Sequence, residues 1–469
     1  MPARLALPLL VLVALALRLH QLDSPLWLDE IATWQTYGPM TVGEVFSSYA
    51  GSNNHLLNTL LMKASAAVFG PFEWALRLPA LLFGVAGIPA MYLCARTALS
   101  ERAAVSAAAL LSVASHHVFF SQNARGYTAW LTLSLLASAL LARAVDGNGG
   151  PRAWWLWVLA SIGNVASLLL SAFVVIAHAL AGAVAVVRTG TPSLARKLAI
   201  GFTLIGLGGL LLYAWVVPDV LAYVDTEYRK ADAGYSLLSM AFVQEVVRGL
   251  GLALVAAPIG LLWGYLGVRA LWRRSPTLTV ALLAGPLIQA VVVVALGLSV
   301  VPRHFLLTMP LGLLVLIAGV EVVATRWNMA TQALLALVLL LGGLSGVQLQ
   351  GYYAHPKQDI PGALAWIARE RAPDQRVIAL HLAEVPVDYY GPRYGITRET
   401  GASFVRTEEA LDAALAHPGT RPGYLVMTLP RALHLALPDL AARVERDWEL
   451  VQTFPGTLGD ADVTVWRER

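Results

Sequence analysis

The chain has 469 residues, 57% hydrophobic and only 13% charged, with a net charge of +4 and a mean hydropathy of +0.64. Soluble domains carry about a quarter charged residues, so this balance excludes a soluble globular enzyme. The small positive excess is spread through loops, which suits membrane topology and excludes a nucleic-acid-binding surface.

Apolar runs of roughly 20 residues cross a bilayer core as helices. In chain order they fall near 4–19, 76–95, 103–121, 127–145, 153–169, 171–187, 198–217, 241–268, 276–300, 304–324 and 329–349. This predicts a polytopic α-helical membrane protein of about eleven transmembrane helices. The first run lacks a small-x-small cleavage site and reads as a retained helix. Lys and Arg concentrate in one set of short loops, including Arg4, Arg96, Arg102, Arg143, Arg152 and Arg188. The positive-inside rule places that set, and the N-terminus, in the cytoplasm.

Residues 20–75 then form one long external loop, whose Trp27, Trp34 and Tyr37 suit the headgroup level. Within it, "HLLNTLLMKASAAVFG" (55–70) is apolar, but a crossing there would break the charge pattern, so it reads as an interfacial helix. A second external loop, 218–236, is unusually polar. After Gly351 helix and strand periods alternate through "IPGALAWIARERAP", "RVIALHL", "TEEALDAALAHP", "GYLVMTL", "DLAARVERDW", "ELVQTF" and "VTVWRE". That pattern predicts a small soluble α/β domain over 351–469, outside the membrane and separate from a transmembrane domain over 1–350. It holds no glycine-rich phosphate loop or nucleophile motif. The single cysteine, Cys94, allows neither an intramolecular disulfide nor a cysteine metal cluster.

Candidate chemistry gathers at span ends. Asp29 and Glu30, in "SPLWLDEIATW", stand where the first span meets water. Adjacent helical residues point about 100° apart, so they are no matched acid/base pair. They are either a solvated helix end or a site in which one carboxylate deprotonates an acceptor. Asn53, Asn54 and His55 follow in the same loop; a lone His there orients a substrate, binds a metal or lies at an interface. "HHVFFSQNARGYTAW" brings Gln122, Arg125 and Tyr127 to an external boundary, and "VVPRHFLLTMP" brings Arg303 and His304. Arg229 and Lys230 lie in the polar loop and Arg77 in "ALRLP". Each Arg is either a snorkelling topology residue or a phosphate ligand. Gathered on one face, such cations suit an anionic lipid headgroup.

The order "LDE", "NNHLLNTLL", "FGPFEWALRLPALLFGVAGIPAMYLCART", "SQNARGYT" and "VPRHFLLTMP" resembles the C-type glycosyltransferases. The nearest branch is family thirty-nine, with its protein O-mannosyltransferases and bacterial lipid A aminoarabinose transferases, over about residues 10 to 325. The resemblance implies an inverting transferase working at the outer face of a bacterial inner membrane, with the C-terminal domain outside. It implies a polyprenyl-phosphate-linked sugar as donor and lipid A, a polysaccharide or a protein as acceptor. It also implies Asp29 as general base with Glu30 in support. The family's His-Pro-Pro is here His55-Leu56-Leu57, with no basic residue beside it; the candidates for the donor phosphate are Arg125 and Arg303, with Arg77 and Lys63 behind them. No cofactor is required by this chemistry, although Asp29, Glu30 and His55 are a conceivable ligand set for a divalent cation. A transporter or flippase of a lipid-linked precursor is the alternative. Such proteins place ionisable residues at the membrane midplane within repeated halves. Here charges inside spans are few (Glu245, Arg248, Glu321) and no repeat shows. A non-enzymatic envelope scaffold is a third reading.

Overall fold

The computed structural model describes residues 3–49, 51, 54–146, 149–226, 235–250, 257–416, 421–457 and 459–469. The chain divides into two compact units, one of Met1–Leu22 with Met40–Gln348 and one of Asp23–Pro39 with Leu349–Arg469. The segment 23–39, expected within the transmembrane domain, therefore groups with the C-terminal unit.

The chain begins with α1 (Ala3–Leu19), followed by α2 (Leu28–Tyr37), which is part of the second unit. The first unit continues with α3 (Val42–Ser47), α4 (Leu56–Phe69), α5 (Glu73–Ala95), α6 (Glu101–Val113), α7 (Ser115–Ser121) and α8 (Tyr127–Val145). Next come α9 (Gly150–Ser167), α10 (Ser171–Thr189), α11 (Pro192–Tyr213), α12 (Val217–Thr226), α13 (Met240–Leu250) and α14 (Ala257–Arg274). Last are α15 (Pro276–Leu296), α16 (Thr308–Arg326) and α17 (Ala330–Tyr352). Local chemistry sets many boundaries. Ser100 and Ser275 accept N–H groups of the first turns of α6 and α15, while Gly190 and Gly297 end α10 and α15 in left-handed conformation (φ 62° and 63°).

Among the described residues, seven helices have the length and apolarity to cross a membrane, or eight when α6 and α7 count as one bent span. The expected run 103–121 is thus a broken span, bent by 59°. The run 241–268 includes residues outside those described, and α1 has 17 residues. Helix α4, at 14 residues, spans roughly 21 Å against a hydrocarbon core of about 30 Å.

A core of α1, α5, α6, α8 and α16 side chains, among them Met91, Leu111, Trp130, Leu135 and Ile317, holds the unit together. Small residues let backbones approach, as they do in membrane bundles generally. A Cβ at Gly319 would lie 2.2 Å from the Trp263 carbonyl oxygen, so α14 and α16 cross in backbone contact.

The break between α6 and α7 frees carbonyl groups that apolar surroundings cannot satisfy. Arg18 of α1, fully buried, satisfies them instead. Its Nη1 donates to the oxygens of Ala14 and Ser112 (2.9 Å each), its Nε to Ser121 Oγ (3.0 Å), and its Nη2 lies 2.7 Å from His117 Nδ1. Ser345 Oγ completes the joint by donating to the Val113 oxygen and accepting the Ser115 N–H (2.7 Å each). Arg18→Leu is expected to cost roughly 3–5 kcal/mol, the penalty for stranding buried polar groups. Thermal unfolding in detergent measures it, and an unchanged melting temperature would remove Arg18 from this role.

The C-terminal unit carries α18 (Ile360–Glu370), α19 (Glu384–Tyr390), α20 (Glu408–Leu415), α21 (Pro430–Ala436) and α22 (Pro438–Asp447). Its strands are β1 (Gln375–Leu380), β2 (Ala402–Val405), β3 (Arg421–Thr428), β4 (Trp448–Phe454) and β5 (Val463–Glu468), in the order β2-β1-β3-β5-β4. β2, β1 and β3 are parallel and β5 and β4 add antiparallel. Ile378, Leu425, Leu440, Val444 and Trp448 pack into its core.

Candidate functional site

Five of the expected site residues converge in the first unit. His55 precedes α4 and is 3% exposed. Its Nδ1 accepts the Gly126 N–H at 2.8 Å, which leaves the proton of the neutral ring on Nε2. That nitrogen lies 3.3 Å from Arg125 Nη2. Two donors cannot satisfy each other; side by side they present a pair of N–H groups to one anionic oxygen. Tyr127 meets His55 edge-on (centroids 5.1 Å apart), and the Arg125 guanidinium stands 5.9 Å from the Tyr127 ring centre. Gly126 cannot be larger here, because a Cβ would lie 2.6 Å from the Ser167 oxygen and 3.0 Å from His55 Cβ.

Arg303 and His304 sit on a short 3-10 turn, Pro302–Phe305, and the Arg303 guanidinium is close enough for its charge to act on His55. Burial first, then Arg125, Arg303 and His304, hold the His55 pKa well below the usual histidine range. Burial, then Arg303 and Arg125, push His304 down to about 3. Both histidines are therefore neutral in the folded protein at neutral pH, while unfolded histidine protonates below about pH 6.5. Below that value the unfolded state binds more protons, so folding stability is intact above it and falls as pH drops. The expected slope approaches about 1.4 kcal/mol per pH unit for each histidine. Melting curves between neutral and mildly acidic pH read it, and His55→Gln should flatten it; an identical slope in the variant would contradict the assignment.

Other expected site residues also make contacts within the fold. Asn54 Nδ2 donates to the oxygens of Val45 and Ser48, and its Oδ1 accepts from Thr59 Oγ1 (3.2 Å), so it shapes the approach to His55. Gln122 Nε2 donates to the oxygens of Arg18 and His20, closing the end of α1. Arg77, fully buried, donates from Nη1 to the Leu22 oxygen at 2.9 Å. Asn53, Arg229 and Lys230 lie outside the described residues. Sequence reasoning missed Asn58, buried three residues beyond His55 on the same helix face, with neither amide atom hydrogen-bonded among the described residues. The i, i+3 spacing from His55 was the available signal.

The acidic pair belongs to the second unit. Glu30 is fully buried: one carboxylate oxygen accepts the Trp27 N–H at 3.2 Å, and the other lies 3.8 Å from Lys357 Nζ, itself 2% exposed. Glu30, expected in support of Asp29, is placed as an anchor for α2. The Leu28 N–H donates to Gln358 Oε1 (2.7 Å), and Gln358 Nε2 in turn donates to Thr428 Oγ1 (3.0 Å) at the end of β3. The Leu26 N–H donates to the Tyr390 hydroxyl at 2.8 Å. Helix α2 thus docks at the carboxyl end of a parallel strand, where α/β sheets commonly hold ligands. Asp29, half-buried in the first turn, points about 100° away from Glu30.

Lys357→Met is expected to destabilise the protein by roughly 3–5 kcal/mol, because it strands a buried carboxylate. Adding Glu30→Gln should recover most of that loss, and thermal unfolding of the two single and one double variants measures the coupling. Additive losses would break the pairing. Among the described residues no group of three or more His, Cys, Asp or Glu is placed to hold a metal ion.

A family model described as dolichyl-phosphate-mannose-protein mannosyltransferase matches residues 56–217. No curated protein matches the chain. Among solved structures, ArnT from Cupriavidus metallidurans in the apo state aligns with a TM-score of 0.55 at 15% identity, over 98% of this chain and 97% of that one. The same protein bound to undecaprenyl phosphate aligns at 0.53 and 14%, with the same coverage. The archaeal oligosaccharyltransferase AglB from Archaeoglobus fulgidus, in complex with an inhibitory peptide and a dolichol-phosphate, aligns at 0.55 and 14%, over 94% of this chain and 72% of that one. The chain is thus a multi-pass membrane protein with the fold of the C-type glycosyltransferases, and its residues 56–217 match the mannosyltransferase family model.

Proposed function

We propose that the protein is an inverting glycosyltransferase that moves a sugar from a polyprenyl-phosphate donor to a lipid, glycan or protein acceptor of the bacterial envelope. The observation that carries this reading is the pairing of His55 and Arg125 as adjacent donors, with the Arg303 charge acting on His55. A phosphate is a leaving group already, so the reaction needs the acceptor deprotonated and the departing charge neutralised. In this reading Arg125 and Arg303, with the His55 Nε2–H, hold the phosphate, and Asp29 takes the acceptor proton. The attacking oxygen forms its bond to the anomeric carbon from the face opposite the departing phosphate, which gives inversion. Guanidinium groups supply the charge neutralisation, so no metal is assigned a role. Glu30 and Lys357 keep α2, and with it Asp29, in register.

The ArnT structure with undecaprenyl phosphate and the AglB structure with dolichol-phosphate support a lipid-phosphate donor for this fold. The external placement of the C-terminal unit is part of the proposal and follows the Lys/Arg asymmetry of the loops. The test pairs a panel of polyprenyl-phosphate sugars offered to the reconstituted protein with mass spectrometry of envelope glycans and lipids from a strain lacking it. The expected result is one donor consumed and the matching glycoform lost. An unchanged set of envelope glycoforms, with no donor consumed, would overturn the reading.

A further inference from the structure

At the other end of α5 and α8 from Arg77 and Tyr127, the first unit has a polar cleft of about 490 Å³, open to the surface. Arg96, Arg143, Arg152 and Asp146 line it, with Leu140 and Leu156 among its apolar walls. Helix α8, 19 residues long, separates it from Tyr127 by roughly 28 Å at 1.5 Å per residue, so it is distinct from the candidate donor site.

The charges there are unbalanced. Arg96 Nη1 donates to the Leu99 oxygen at 2.7 Å. The guanidinium groups of Arg143, which is half-buried, and of Arg152 have no acceptor among the described residues. Asp146 forms no ion pair with them among those residues, and burial raises its carboxyl above the usual range. Three cations around one cleft repel each other, and the half-buried Arg143 guanidinium gives up part of its hydration there without an acceptor, so an anion bridging it to the exposed Arg152 relieves both.

The neighbouring surface says what kind of anion. Arg152, Trp155, Leu156 and Leu159 stand at i, i+3, i+4 and i+7, forming one stripe of α9. Below the cation this stripe is apolar and open, with Trp155 55% and Leu159 61% exposed. Cation at the helix end, tryptophan beneath it and aliphatic side chains below follow the order of a lipid from headgroup to acyl chain.

We infer that this cleft binds the phosphate of an anionic membrane lipid, held between Arg143 and Arg152, with the acyl chains lying along Trp155, Leu156 and Leu159. The site is independent of the donor-site reading and stands or falls separately from it.

Native mass spectrometry of the full chain, released from mixed micelles of phosphatidylglycerol and phosphatidylcholine, tests it. Wild type should retain phosphatidylglycerol about tenfold over phosphatidylcholine, in keeping with a charged hydrogen bond or two. Arg143→Gln with Arg152→Gln should abolish that preference, and Arg143→Lys with Arg152→Lys should keep most of it. Asp146→Asn, which removes the one carboxylate of the cleft, should strengthen retention; it decides the matter if the glutamine pair does not fold. Equal preference in wild type and the glutamine pair, or no gain with Asp146→Asn, overturns the site. Complete displacement of phosphatidylglycerol by inorganic phosphate assigns the cleft to a soluble phosphate and overturns the lipid assignment.

Discussion

Asp29→Asn is expected to lower sugar transfer by about 10²–10⁴-fold, the usual contribution of a positioned general base. The substitution keeps shape and removes the charge together with the ability to take a proton. Several anchors of the local fold are independent of the Asp29 side chain: Thr33 Oγ1 donates to the Asp29 backbone oxygen, Glu30 closes the first turn, and Gln358 and Tyr390 hold the preceding N–H groups. Expression, membrane insertion and donor affinity should therefore be unchanged, and the loss should appear in kcat with KM for donor steady. Transfer at the wild-type rate would rule out Asp29 as the base.

Arg125→Ala should act on the other side of the reaction. A hydrogen bond to a charged partner contributes roughly 1.5–3 kcal/mol, which is about 10- to 150-fold in affinity. Because the phosphate gains charge as the sugar departs, kcat should fall as well as donor affinity. Arg125→Lys separates charge from geometry. It restores a point charge but not the planar fork beside His55 Nε2, so partial recovery is expected. Competition by polyprenyl phosphate measures the affinity; the same apparent constant in wild type and Arg125→Ala would remove Arg125 from the phosphate site.

The helical fold was legible because apolar runs of membrane length are a strong signal, and the alternation after Gly351 located α18, β1, α20, β3, α22, β4 and β5. Strand β2, four residues long, and the short helices α19 and α21 carry too little periodicity to stand out. The bend at Ala114 was not legible because no proline or glycine marks it, and Arg18, which takes up the freed Ser112 carbonyl, lies about a hundred residues away. Within the site, His55, Arg125 and Tyr127 were legible as polar residues at span ends. The contact through which Glu30 holds α2 was not. Its partner Lys357 is more than 300 residues downstream, and no local pattern links the two. The same distance hid the grouping of α2 with the C-terminal unit. Asn54 and Gln122 have the chemistry of substrate ligands, and only the backbone oxygens around them reveal that they organise loops and helix ends.

The most direct test of the central claim follows the bond between the donor phosphate and its sugar. Wild type and Asp29→Asn are reconstituted in liposomes with a polyprenyl-phosphate sugar and an envelope acceptor fraction, and free polyprenyl phosphate and the anomeric configuration of the product are measured. The account predicts cleavage by wild type with an inverted product, and loss of cleavage in Asp29→Asn with donor still bound. Intact donor moved between leaflets, with no bond cleaved by wild type, would contradict it.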